Sequence, residues 1–154
     1  MRRALTLVVL SVALTWLGAT AAIAADTRAE YIAQVDPVCQ ATISDQAKAA
    51  GPKGFVGPLN HGHLRAAGRS MSRVFAAFSQ GVEQVAAIVP PVADAQLIGT
   101  WVQDLRAQVP LGNRVAGILI HNRLPRKLLA RLGNLNIRTR AVVASFGFHS
   151  CLEL

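Results

Sequence analysis

The chain is predicted to be all-α: an antiparallel up-down four-helix bundle tied by one disulfide and preceded by a signal peptide. Three observations predict this. Apolar residues fall at helical spacing in four blocks, with no stretch of the strict alternation that marks strands. Short connections between the second, third and fourth blocks set neighbouring helices antiparallel. Cys39 and Cys151 stand near opposite ends of the chain that follows the leader.

The leader is residues 1–24. Arg2 and Arg3 form a basic start, an uncharged apolar run follows from Ala4 to about Ala19, and the small residues Ala22 and Ala24 flank Ile23 at the exit. Cleavage after Ala24 is expected. The alternative is an uncleaved N-terminal membrane anchor, since the charge-free stretch is just long enough to span a bilayer as a helix. Residues 25–154 then form a single domain of about 130 residues, enough for one core. Losing Arg2 and Arg3 lowers the net charge from +8 to +6, so the exported chain stays basic. Export also favours a disulfide, and the Cys39–Cys151 bridge is expected. Two free reactive thiols would be the alternative, but neither cysteine lies in a Cys-x-x-Cys pair.

The first block opens with Thr27 and Glu30 at capping-box spacing, carries Tyr31, Ile32, Val35, Cys39 and Ile43, and ends at Gly51-Pro52. Pro37 inside it either kinks one helix or follows Asp36 as the cap of a second. A glycine-rich loop runs from Gly51 to Gly62, with Phe55, Val56 and Leu59 expected to tuck onto the bundle. The second helix is expected from about His63 to Val89. Leu64, Met71, Phe78 and Val85 recur every seven residues, Val74, Phe75, Val82 and Val89 share their face, and Pro90-Pro91 stops it. Asp94 is a candidate cap for the third helix, whose apolar face is Leu97, Ile98, Trp101, Leu105, Val115, Ile118 and Leu119, with a kink or break at Pro110 and Gly112. In the fourth, Leu128, Leu132, Leu135, Val142 and Phe146 keep a four-and-three spacing if Thr139 fills one step, and Gly147 ends it.

Tyr31-Ile32 before Cys39, the Pro-Pro break, the tryptophan of the third helix and Phe146-Gly147-Phe148 before Cys151 together resemble small exported helical proteins of high-GC actinobacteria. The resemblance spans most of the chain beyond the leader and implies a helical fold and an extracytoplasmic location. That family has no assigned activity, so no catalytic residue is carried over. Pro37 and Pro110 depart from its helices.

Candidate chemistry is sparse. His61 and His63 could give two metal ligands, but no cysteine or carboxylate stands beside them at ligand spacing. Met71 with His121 or His149 could ligate a haem within a bundle, yet Met71 falls on the core stripe. No nucleophile with a base, carboxylate pair or phosphate-cradling loop is found, so neither catalysis nor a cofactor is expected.

The outstanding feature is charge. From Leu105 to Leu152 there are eight basic residues and no acidic one. Lys127, Arg131 and Arg138, with Asn134, line one stripe of the fourth helix, and Arg65, Arg69 and Arg73 line another on the second. Read plainly, these are solvated faces. Read for function, they are an anion-attracting surface for lipid headgroups or an acidic partner in the cell envelope. Nucleic acid is not expected, because aromatic residues do not interleave with the arginines. The expectation is a secreted or cell-envelope, non-catalytic interaction module with a basic surface. The alternative is a small metal or haem carrier.

Overall fold

Each helix begins and ends where local chemistry makes continuation costly. The computed structural model describes residues 25–154 other than Lys53, Phe55, His61 and Leu154, so the expected leader, the tucking of Phe55 and the ligand role of His61 lie outside the described residues.

Helix α1 spans Arg28–Ala50. Its capping box is complete: the Glu30 amide donates to Thr27 Oγ1 at 3.2 Å, and the Asp26 and Thr27 amides donate to the Glu30 carboxylate at 3.0 Å each. The helix passes through Pro37 without ending. Asp36 therefore caps no second helix. Its carboxylate instead accepts the His149 and Ser150 amides at 3.1 Å, anchoring the chain's far end. Gly51, at φ +74°, closes the helix in a conformation that side chains resist.

The glycine-rich connection is not a plain loop. It contains the one-turn helix α2, Val56–Asn60, so the described residues hold five α-helices rather than four. Leu59 packs on the core as expected, whereas Val56 stays exposed.

Helix α3 spans Leu64–Ala86. Met71, Val74, Phe78, Val82 and Val85 are buried along one face. The helix ends before Val89, which is exposed, because the residue preceding Pro90 is pushed away from helical dihedrals. A 3-10 turn, Val92–Asp94, leads into α4, Ala95–Ile120. Asp94 holds the cap position but makes no cap bond; its carboxylate accepts Arg28 Nε and Nη2 at 3.2 and 2.5 Å. Ile98, Trp101, Leu105, Val115 and Leu119 are buried, while Leu97 is exposed. The break expected at Pro110 and Gly112 is absent: Pro110 removes one amide from the ladder, and α4 continues. Helix α5, Arg126–Phe146, ends at Gly147 with φ +98°. Thr139 does fill the vacant apolar step. It is buried, accepting from Gln108 Nε2 at 3.3 Å and donating to the Asn136 carbonyl at 2.9 Å.

Neighbours run antiparallel. Ser70 Oγ donates to the Ala50 carbonyl while Gly81 lies against Thr42, so α1 and α3 oppose. Arg106 pairs with Glu83 while Gly68 meets Ala116, so α3 and α4 oppose. Asp104 pairs with Arg138 further down the chain, and Leu119 clusters with Leu128, so α4 and α5 oppose. Close packing joins α1 to α3, α3 to α4 and α4 to α5, but not α1 to α5. At one end the core is sealed around Tyr31, Phe146, Phe148 and Trp101, with Trp101 and Phe148 stacked at 5.0 Å. There the expected Cys39–Cys151 disulfide is present and buried. The other end has a smaller cluster around Met71, Val115, Ala116 and Leu119. No described helix is long and apolar enough to cross a membrane.

Glycines inside the helices divide by surroundings. A Cβ on Gly68 would sit 2.7 Å from the Ala116 carbonyl oxygen and from the Ile120 amide nitrogen, backbone atoms that cannot step aside. Gly99 faces open space. Gly68→Ala is therefore expected to cost about 1–3 kcal/mol through overpacking, and Gly99→Ala to gain about 0.5–1 kcal/mol from helix propensity, both read by urea unfolding. Tyr31 supplies a second test. Its hydroxyl is buried without a partner among the described residues, and burial pushes its pKa up to about 12. Being raised in the folded state, this pKa contributes stability fully present below about pH 10 and lost as pH climbs toward 12. Tyr31→Phe is expected to remove that alkaline loss and leave stability at pH 7 equal or higher.

Candidate functional site

The two arginine stripes have different fates. Antiparallel packing lays the first half of α3 beside the C-terminal ends of α1 and α4, where carbonyls lack intrahelical donors. Arg73 Nε donates to the Ala49 carbonyl at 2.9 Å and Arg65 Nε to the Ile120 carbonyl at 3.3 Å. Each guanidinium meets the negative end of a neighbouring helix dipole. Much of this stripe thus serves the fold. Arg69 and Arg65 also edge a shallow surface cleft of about 470 Å³ with His63 and Asn122.

The α5 stripe faces outward. Arg131, Asn134 and Arg138 line a cleft of about 520 Å³ between α4 and α5, joined from α4 by Arg114. Asp104 is the one acid on its wall among the described residues, and it accepts Arg138 Nη2. Arg114 and Arg131 have no carboxylate partner among the described residues. Lys127, placed on the same stripe by spacing, does not line this cleft. The contribution of Arg114 was available only as one member of the acid-free run; its pairing with α5 is a product of helix packing.

A third cleft, about 350 Å³, opens between α1 and the first half of α5. Its floor is Met71, Val74, Phe75 and Phe78 of α3, and its α5 wall includes Leu129, Leu132 and Gly133. Three amide side chains, Gln46, Gln108 and Asn136, complete the lining, and no ionisable residue among the described ones does. Sequence reasoning missed it because the same residues read as core positions.

Six carboxylates are already committed. Asp94 binds Arg28, Glu83 binds Arg106, Asp104 binds Arg138, and Asp45 binds Lys48. Asp36 and Glu30 accept backbone amides. The Arg106 fork holds the Glu83 carboxyl below its usual range. Such pairing suits structural ion pairs better than general acid or base work. Among the described residues no group of three or more His, Cys, Asp or Glu side chains could hold a metal ion. Of the residues weighed for haem, Met71 is buried against Leu119, His121 is exposed at the end of α4, and His149 is exposed beside Asp36 at the opposite end of the bundle.

In comparisons with known proteins, no family model, curated protein or solved structure matches this chain.

Proposed function

We propose that this chain is an exported, non-catalytic binding module that meets anionic headgroups of a membrane surface through the cleft between α4 and α5. The observation that carries the reading is the gathering of Arg114, Arg131 and Arg138 on one cleft against a single acid. Guanidinium groups suit phosphate, offering planar forked donors and a charge that persists at any physiological pH. A lipid surface fits better than an acidic protein because apolar side chains accompany the charge. Ile137 on α5 is 67% exposed, and Leu124 just before α5 is 44% exposed. Basic groups beside exposed aliphatic ones are the combination by which a helix lies in the headgroup region. The export half of the proposal rests on the basic start, apolar run and small-residue exit of residues 1–24.

Vesicle cosedimentation tests the cleft. Phosphatidylglycerol-containing vesicles are expected to bind the protein and release it with salt, and phosphatidylcholine vesicles to bind it weakly. Arg114→Glu with Arg131→Glu, which breaks no ion pair, is expected to weaken binding about tenfold or more. Unchanged binding would dispose of the cleft, and binding to polyglutamate without binding to vesicles would move the partner to an acidic protein. Intact mass spectrometry of protein recovered from the extracytoplasmic fraction tests export. A chain starting at Ala25 and lighter by two hydrogens for the Cys39–Cys151 bridge is expected, whereas a retained leader would mean an anchored protein.

A further inference from the structure

We infer that the cleft between α1 and α5 is a second, separate site, which takes a neutral apolar molecule carrying one hydrogen-bond acceptor, such as an acyl ester. Three observations lead there. The first is incomplete coverage. From Arg126 to Arg138 no α5 side chain is fully buried, although Leu129 and Leu132 turn apolar surface to the cleft; burial begins only at Thr139. A volume of about 350 Å³ lies at the lower end of the range for small-molecule sites, roughly 300–1,000 Å³.

The second is Gly133. It sits mid-helix on the wall of the cleft, and a Cβ added there would meet nothing within 4 Å. Neither close packing nor backbone conformation requires glycine at this position, and glycine costs a helix interior about 1 kcal/mol relative to alanine. Its effect is to keep the wall recessed and the cleft open.

The third defines the occupant's chemistry. Gln46 lines the cleft, and its amide Nε2 is buried without an acceptor among the described residues. A buried donor left unpaired is costly, so a ligand bringing an acceptor gains what the protein lacks. Among the described residues no lining residue is ionisable, so an ionised head would be desolvated with no counter-charge from them. The flexible Met71, Leu129 and Leu132 side chains suit an alkyl chain rather than a rigid ring. An uncharged ester or amide of a short acyl chain meets all these demands.

The test is displacement of the neutral fluorophore N-phenyl-1-naphthylamine from the full chain as recovered from expressing cells. Competitors are methyl decanoate, an alkane of the same length, and decanoate at neutral pH. Saturable displacement is expected with methyl decanoate tightest, ahead of the alkane by about three- to tenfold, the worth of one net hydrogen bond, and ahead of decanoate. Gln46→Leu is expected to erase the preference for ester over alkane while alkane binding persists. Gly133→Phe should fill the cleft and weaken every competitor about tenfold or more, with a melting temperature no lower than the parent's. Absence of saturable binding, an ester that binds no better than the alkane, or affinity untouched by Gly133→Phe would each overturn the inference. So would concentration-dependent dimerisation abolished by Gly133→Phe, since the occupant would then be a second copy of the chain.

Discussion

The return of the C-terminal tail onto α1 is the constraint from which the rest of the architecture follows. Cys151 reaches Cys39 across a sequence separation of 112 residues. In the chain-entropy treatment, closing a loop of that length removes about 4–5 kcal/mol of denatured-state freedom. The bridge does not act alone. Phe148 stacks between Trp101 and Phe146, with centroids 5.0 and 4.7 Å away. Asp36 takes the two amides just before Cys151, and Arg28 lies 4.6 Å over the Phe146 ring while paired with Asp94. Helices α1, α4 and α5 and the tail are thereby fixed at one end, and α5, whose buried side chains are Thr139, Val143 and Phe146, gains most of its anchorage there.

Anchorage at one end has a consequence at the other. Because α1 packs on α3 and α5 on α4, α1 and α5 do not pack closely on one another among the described residues. The first half of α5 rests on α4 with its leucines half covered. Clefts therefore open along both flanks of this one half-helix: a basic one shared with α4 and an apolar one facing α1. Local stability is set by how many buried contacts a segment makes, so this half-helix belongs to the part of the molecule with least to lose on opening.

How much of this was legible in the sequence depends on whether a feature is local. Thr27, Glu30 and Gly147 act on their own helix ends, and spacing alone located them. The period of apolar residues identified the inward faces of α3 and α4, and Thr139 as the missing step. Residues acting across helices were misjudged. Gly112 reads as a breaker, yet a Cβ there would come within 2.3 Å of the Phe75 ring, so its role is close packing. Asp94 stands at the cap position its spacing indicated, yet its carboxylate, like that of Asp36, holds a group remote in sequence. Arg65 and Arg73 read as a free stripe, but they satisfy the ends of neighbouring helices. A hydrophobic period records which face turns inward and says nothing about which helix end arrives opposite it. For the same reason Arg114 and the α1–α5 cleft were not separable from surface charge and core.

Under the proposals above, the difference between the two clefts flanking α5 would make them selective. An anion entering the α4–α5 cleft finds fixed cations and open solvent, so it keeps part of its hydration while gaining charge-assisted donors. The same anion in the α1–α5 cleft would lose water against hydrocarbon and amides, with no cation to compensate. A neutral acyl chain has the reverse preference, because burial against Phe75, Phe78 and Leu132 removes its surface from water while guanidinium groups offer it little. One helix, anchored at its C-terminal end, thus has basic side chains lining the cleft on one flank and apolar and amide side chains lining the cleft on the other. A molecule carrying both, an anionic lipid above all, would set its headgroup and its chain against different sides of α5.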